Sequence, residues 1–267
     1  MAHSHRRALM LALASAALAS APSAQAVALK IKVENLAPMA GTLFTPVWVG
    51  VHDGSFDLFD AGAPASAALE RLAEDGNPGP LGGAFTGSAQ GVVFGPGIGA
   101  GSPPLFGPGG SSEIVLDLGS GATEAYLSFA SMLLPSNDAF FANDDPLAYQ
   151  VLSGGNVNAL ELIILGTHIF DAGTEVNDEL AATTPVLGQM SPDTGTTEGG
   201  VVAAHGGFIP GGAILSAFPN ADFTVDGYQV ARITVSQIPE PSTLALLFGS
   251  LGIAGWIRRG KKPARAM

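Results

Sequence analysis

Ala28-Leu29-Lys30-Ile31-Lys32-Val33-Glu34-Asn35-Leu36 is the stretch that decides the fold class. Leu29, Ile31 and Val33 alternate with Lys30, Lys32 and Glu34. A period of two puts the apolar side chains on one face of a strand and the charged ones on the other, whereas a helix would scatter them. Working outward, Phe44 to Val51 is rich in Val, Phe and Trp, and Glu113 to Leu118, Ala125 to Leu134, Asn158 to Gly166 and Tyr228 to Ser236 are further short runs bounded by Gly, Pro, Asn or Ser. Several short strands with turn signals between them predict an all-β chain, an antiparallel β-sandwich.

One helix is expected within this β framework. Pro64 to Glu74 places Ala68, Leu69, Leu72 and Ala73 on one side, with Ser66 as N-cap and Gly76 as the stop. Residues 76–112 are dense in Gly and Pro and read as a long turn-rich excursion rather than a folded unit. Trp48 lies in an apolar run and reads as core.

The chain has 267 residues, 36 Gly, 19 Pro, no Cys and a formal charge of −12. Without Cys there are no disulfides, thiolate metal sites, iron–sulfur clusters or Cys nucleophiles. An acidic chain lacks the basic footprint that a nucleic-acid partner demands. Residues 27–238 hold four basic residues (Lys30, Lys32, Arg71 and Arg232) against 22 acidic ones, a charge of −18 that the basic ends conceal.

The ends read as addresses. Residues 1–26 have a charged start at Arg6 and Arg7, an apolar run from Ala8 to Ala21 and an A-x-A site at Ala24-Gln25-Ala26, the layout of a cleavable signal peptide for export. At the other end, Pro239-Glu240-Pro241 precedes an uncharged apolar run from Thr243 to Ile257 and a basic tail, Arg258-Arg259-Gly260-Lys261-Lys262. The run is short for a spanning helix, but Trp256 and the basic cluster suit one membrane interface, so a transmembrane helix over 243–257 is expected.

Residues 238–267 resemble the PEP-CTERM sorting signal of Gram-negative bacteria, carried here by Pro239, Glu240 and Pro241, the apolar helix and the basic terminus. That resemblance implies an exosortase partner that removes the tail, transient anchoring in the membrane, and delivery to the cell surface or an exopolysaccharide matrix. The body carries a second resemblance. Thr45-Pro46-Val47-Trp48-Val49-Gly50-Val51-His52-Asp53-Gly54, Phe56-Asp57-Leu58-Phe59-Asp60-Ala61-Gly62, Leu69 to Gly76, Met132 to Phe140 and Phe170-Asp171-Ala172-Gly173-Thr174-Glu175, in that order, look like the spondin N-terminal domain of bacterial secreted proteins. The match spans about residues 29–236, and the domain is taken as 27–237. It implies a C2-like sandwich, a bound Ca²⁺ and an adhesive, extracellular-matrix setting. In the animal pattern Pro-Ser-Pro-Asp-Trp-Phe, Asp138 is kept here while Asn137 and Ala139 replace the Pro and Trp. A following acidic position matches Asp144, and a further Asp falls near Leu147.

Oxygen-rich loops are the candidate chemistry. Asn137-Asp138 and Asn143-Asp144-Asp145 lie within nine residues, and Asp171, Glu175, Asp178 and Glu179 form a second acidic loop. Ca²⁺ takes six to eight oxygens from such groups, which makes Asp138, Asn143, Asp144 and Asp171 the expected metal ligands. The alternative for the same residues is turn chemistry, since Asn and Asp bond their own turn backbones. His52-Asp53 invites a catalytic reading, yet no His-Glu-x-x-His and no Gly-x-Ser-x-Gly occurs. The expectation is an exported, non-enzymatic surface or matrix protein, with a secreted enzyme that uses paired carboxylates on matrix polysaccharide as the alternative.

Overall fold

The computed structural model describes residues 26–238. The cleavage position Ala24, the sorting motif Pro239-Glu240-Pro241 and the apolar run 243–257 lie outside the described residues. Among the described residues, no helix is long and apolar enough to cross a membrane.

The fold is all-β, built from antiparallel strands with few helices. In chain order the elements are β1 (Ala28–Asn35), β2 (Leu43–Phe44), β3 (Val47–His52), α1 (Ala67–Asp75), α2 (Gly79–Ala84), β4 (Ala89–Val93), β5 (Ser111–Asp117), β6 (Ala125–Leu134), β7 (Ala139–Ala142), β8 (Gln150–Ser153), β9 (Asn156–Val157), β10 (Leu160–Leu165), β11 (Ile169–Asp171), β12 (Ala203–Ala204), α3 (Ala213–Ala217) and β13 (Gln229–Gln237). One sheet has the order β10-β13-β1-β5. The other runs β12-β11-β7-β6-β3-β4, with β2 and β8 also paired to β6, and β9 to β8.

The alternation in β1 does what its period predicts. Leu29, Ile31 and Val33 are fully buried and share one core with Val47, Val49, Val51, Leu127, Phe129 and Phe141 of the larger sheet. Lys30, Lys32 and Glu34 face outward and meet Glu113, Arg232 and one another in exposed ion pairs. Such pairs contribute at most about 1 kcal/mol each, so the sheet is held by its apolar face. β1 lies between the last strand and β5; Leu29 is paired with Gln237 and with Leu116.

β3 and β6 are buried on both faces, which is why their sequences read as continuous apolar runs. Their outer face carries Trp48, Ala130 and, on β7, Phe140, covered by Phe56, Leu58, Phe59, Leu69, Leu72 and Leu81. Trp48 is core, as expected, and its Nε1 donates to Gln90 Oε1 at 3.0 Å. α1 forms where the sequence places it. Ser66 Oγ accepts from Leu69 N at 3.2 Å, and Gly76, at φ 64°, ends the helix with its N–H bonded to Leu72 O.

The stretch 76–112 corrects one expectation. It contains α2 and β4, not turns alone. Leu81 buries the short helix, and β4 extends the larger sheet beside β3. The strand was hidden by Gly91, over which Ile114 and Leu116 of β5 pack closely: a Cβ there would come within 2.8 Å of Ile114 Cδ1 and 3.1 Å of Leu116 Cδ2.

Candidate metal centre

The four residues expected to share a cation are divided between two places. Asn137 and Asp138 form the turn before β7, and Asn143 and Asp144 follow it. The intervening strand separates Asp138 from Asp144 by roughly 15 Å or more at 3.3 Å per residue. Asn143 is committed to structure: its Oδ1 accepts from Phe129 N at 3.0 Å, and its Nδ2 donates to Ser128 Oγ and to Asp145 O. Asp144 is exposed.

Asp138 and Asp171 do come together, because β7 pairs with β11 and sets Ala139 opposite Asp171. Asp138 is fully buried. Its Oδ2 accepts from Thr174 N at 2.8 Å, Glu175 N at 3.0 Å and Thr174 Oγ1 at 3.1 Å. Its Oδ1 is buried with no partner among the described residues. Burial, with the nearby Asp171 charge adding to it, pushes the Asp138 carboxyl up to about 6 against the pull of those donors. Asp171 accepts from Gly173 N at 2.7 Å and Asn177 Nδ2 at 2.5 Å. The first loop therefore works as a clasp on the second, and Asp138 is the pin.

The structure joins Glu175, from the second acidic loop, to Glu74 and Asp193, which the sequence did not single out as ligands. Glu74, Glu175 and Asp193 each offer an oxygen within 4.8 Å of the others. They converge because α1 lays Glu74 inward beside Leu72 and Ala73, Asp138 fixes Glu175, and the loop returns Asp193 over them. Glu175 Oε1 accepts from Gly195 N at 2.8 Å, and Asp193 N donates to Asp75 Oδ1 at 3.1 Å. A cavity of about 250 Å³ opens here, lined by Glu70, Glu74, Thr174, Glu175 and Asp193 among others.

One guanidinium serves this acidic group. Arg71 contacts Glu74 most closely, Asp75 at 2.8 Å, Glu70 at 3.1 Å and Asp193 at 3.4 Å. Spread over four carboxylates, it does not offset the burial of Glu74. Burial foremost, with repulsion from Glu175, raises the Glu74 carboxyl to about 7. Burial likewise raises Glu175. The donor set is all hard oxygen, which fits Ca²⁺ or Mg²⁺ and not a soft metal. An acidic triad that can hold a metal ion is thus present, at Glu74, Glu175 and Asp193.

His52 has a place that argues against catalysis by it. Its Nε2 lies 2.9 Å from Ser128 Oγ, but its Nδ1 accepts the Gly54 N–H at 3.0 Å. The neutral ring therefore carries its proton on Nε2 and donates to the serine, the reverse of a general base. Burial also holds the His52 pKa below its ordinary value. Both side chains are buried, and Asn143 completes the network.

Neither protein-family models nor curated proteins give a match to this chain.

Proposed function

We propose that this is an exported surface- or matrix-associated protein with an adhesive or structural role, built on a C2-like spondin-type sandwich and ordered by Ca²⁺ in its acidic lobe. The observation that carries the cation reading is the convergence of Glu74, Glu175 and Asp193 from three separate chain segments. The partly raised carboxyls supply a reason for binding: a divalent cation replaces the protons that burial favours. The −18 body suits bridging by divalent cations to an anionic exopolysaccharide. The PEP-CTERM-like tail supports sorting by an exosortase.

Calorimetric titration of the full chain with Ca²⁺ is expected to show binding that strengthens from pH 6 to pH 8 and releases protons. Glu175→Gln is expected to weaken it roughly tenfold or more, since removing a charged ligand costs over about 1.4 kcal/mol. No heat, and no change in Tm on adding chelator, sinks the cation reading. For the tail, replacing Pro239-Glu240-Pro241 by alanines is expected to leave the protein in the membrane fraction. Normal delivery of that variant defeats the sorting reading.

A second reading has one observation in its favour. Glu74, raised to about 7, stands beside Glu175, and a carboxyl that keeps its proton next to a second carboxyl is the equipment of a polysaccharide-cleaving enzyme. Release of reducing ends from acidic polysaccharide, lost in Glu74→Gln, would select it.

A further inference from the structure

The smaller sheet ends in an open edge. β10 bonds to β13 on one side, and among the described residues Leu160–Ile164 make no hydrogen bond on the other. Free edges of this kind are normally guarded by lysine, proline, a central bulge or a covering segment. The sequence Leu160-Glu161-Leu162-Ile163-Ile164-Leu165 has one charge, no Lys and no Pro, and its register shift falls only at the Ile164/Leu165 end. The opposite edge differs: β5 carries Glu113 and Asp117 and has β4 beside it, with Gly91 against Ile114 and Leu116.

Burial along β10 is also incomplete. Ile164 is buried, but Leu160 and Leu162, on the same core-facing side, are only half-buried although they pack against the central core. A strand laid alongside would finish covering them.

We propose that β10 is a self-association edge, and that two copies of this chain pair β10 to β10 in antiparallel register about a two-fold axis, making one continuous eight-stranded sheet. The pattern is self-complementary. With Leu162 on the axis, Leu162 meets Leu162, Glu161 meets Ile163, and Leu160 meets Ile164, so no like charges stand directly opposed. Each Glu161 keeps its own Arg232 at 3.6 Å. The strongly acidic bodies repel one another, and salt screens that repulsion, so association tightens as ionic strength rises.

The natural absence of Cys makes the test clean. The full chain in detergent carries a single Leu162→Cys, or a single Val115→Cys on the opposite edge as control, and is oxidised mildly. Facing residues in antiparallel strands have Cβ atoms near the separation a disulfide spans. Leu162→Cys is expected to cross-link to dimer about tenfold faster than Val115→Cys at a matched concentration, because pairing raises the effective concentration of the thiols. The difference is expected to grow between about 0.05 and 0.5 M salt. Leu162→Lys, checked for folding by circular dichroism, is expected to lower the dimer fraction in sedimentation. Equal cross-linking of the two Cys variants overturns the proposal, as does a Leu162→Cys rate that falls with added salt. If Leu162→Lys does not fold, the cross-linking comparison decides alone.

Discussion

Asp138→Ala is expected to lower stability by about 3 kcal/mol or more, since it strands two backbone N–H groups and one hydroxyl that the carboxylate now satisfies. In a domain of this size each kcal/mol moves Tm by about 2–4 °C, so a fall of roughly 10 °C is the expected readout in calorimetry. The damage is local in origin. Thr174 and Glu175 lose their anchor, Glu175 no longer presents Oε1 to Gly195 N, and the segment that brings Asp193 to Arg71 is released. Hydrogen exchange is therefore expected to rise first across 173–200, while β1 and β13 stay protected. An Asp138→Ala protein with unchanged Tm would show that the clasp contributes nothing.

Acidification is expected to stabilise the metal-free protein between pH 8 and about pH 6.5. Glu74 is raised from 4.5 to about 7 and Asp138 from 3.8 to about 6 in the folded state. A carboxyl with a raised folded pKa gives a contribution that is complete below its unfolded pKa and is lost as pH rises through the folded pKa. The window is thus 4.5 to 7 for Glu74 and 3.8 to 6 for Asp138. For Glu74 the effect is on the order of 3 kcal/mol over its whole window. His52 and His205 act in the other direction. Burial lowers both from 6.5, so their contribution is present above 6.5 and declines as pH falls through their folded values. Below about 6.5 the two trends oppose each other, and the clean region is the first pH units below 8. Melting scans in chelator should show Tm rising there. In Glu74→Gln the rise should flatten, and saturating Ca²⁺ should remove it in the parent. A Tm that falls steadily from pH 8 to 6.5 in chelator contradicts the assignment.

How much was readable in the sequence follows from how far each signal reaches along the chain. β1 announces itself by alternation, and β5, β6 and β13 by short apolar runs bounded by turn residues, because burial on one or two faces is written into consecutive residues. The same holds for α1, whose cap and stop are local. β7 was not legible. Ala139-Phe140-Phe141-Ala142 is only four residues, set between Asn137-Asp138 and Asn143-Asp144, and it read as part of one acidic loop. That strand is what parts Asp144 from Asp138. The triad at 74, 175 and 193 could not be found at all from spacing. Glu74 has the sequence of an ordinary helix-surface residue, and only the docking of α1 against β6 turns it inward. The acid-rich turns that hold Asp138 and Asp171 are visible locally, but their approach depends on the pairing of β7 with β11, which no local signal carries.

The pairing of β1 with β13 bears on when this chain can fold. The strand that begins the body takes its partner from residues 229–237, about as far away as the body allows. At synthesis rates of about 5–20 residues per second, the first strand waits roughly 10–40 s for that partner to be made. Contacts of such long sequence separation are also slow to close once both ends exist. With no cysteine to oxidise, no disulfide ties completion of the sheet to an oxidising compartment. Chain length therefore acts as the timer: the small sheet stays open until the last strand has emerged, which leaves an interval in which the chain is threadable.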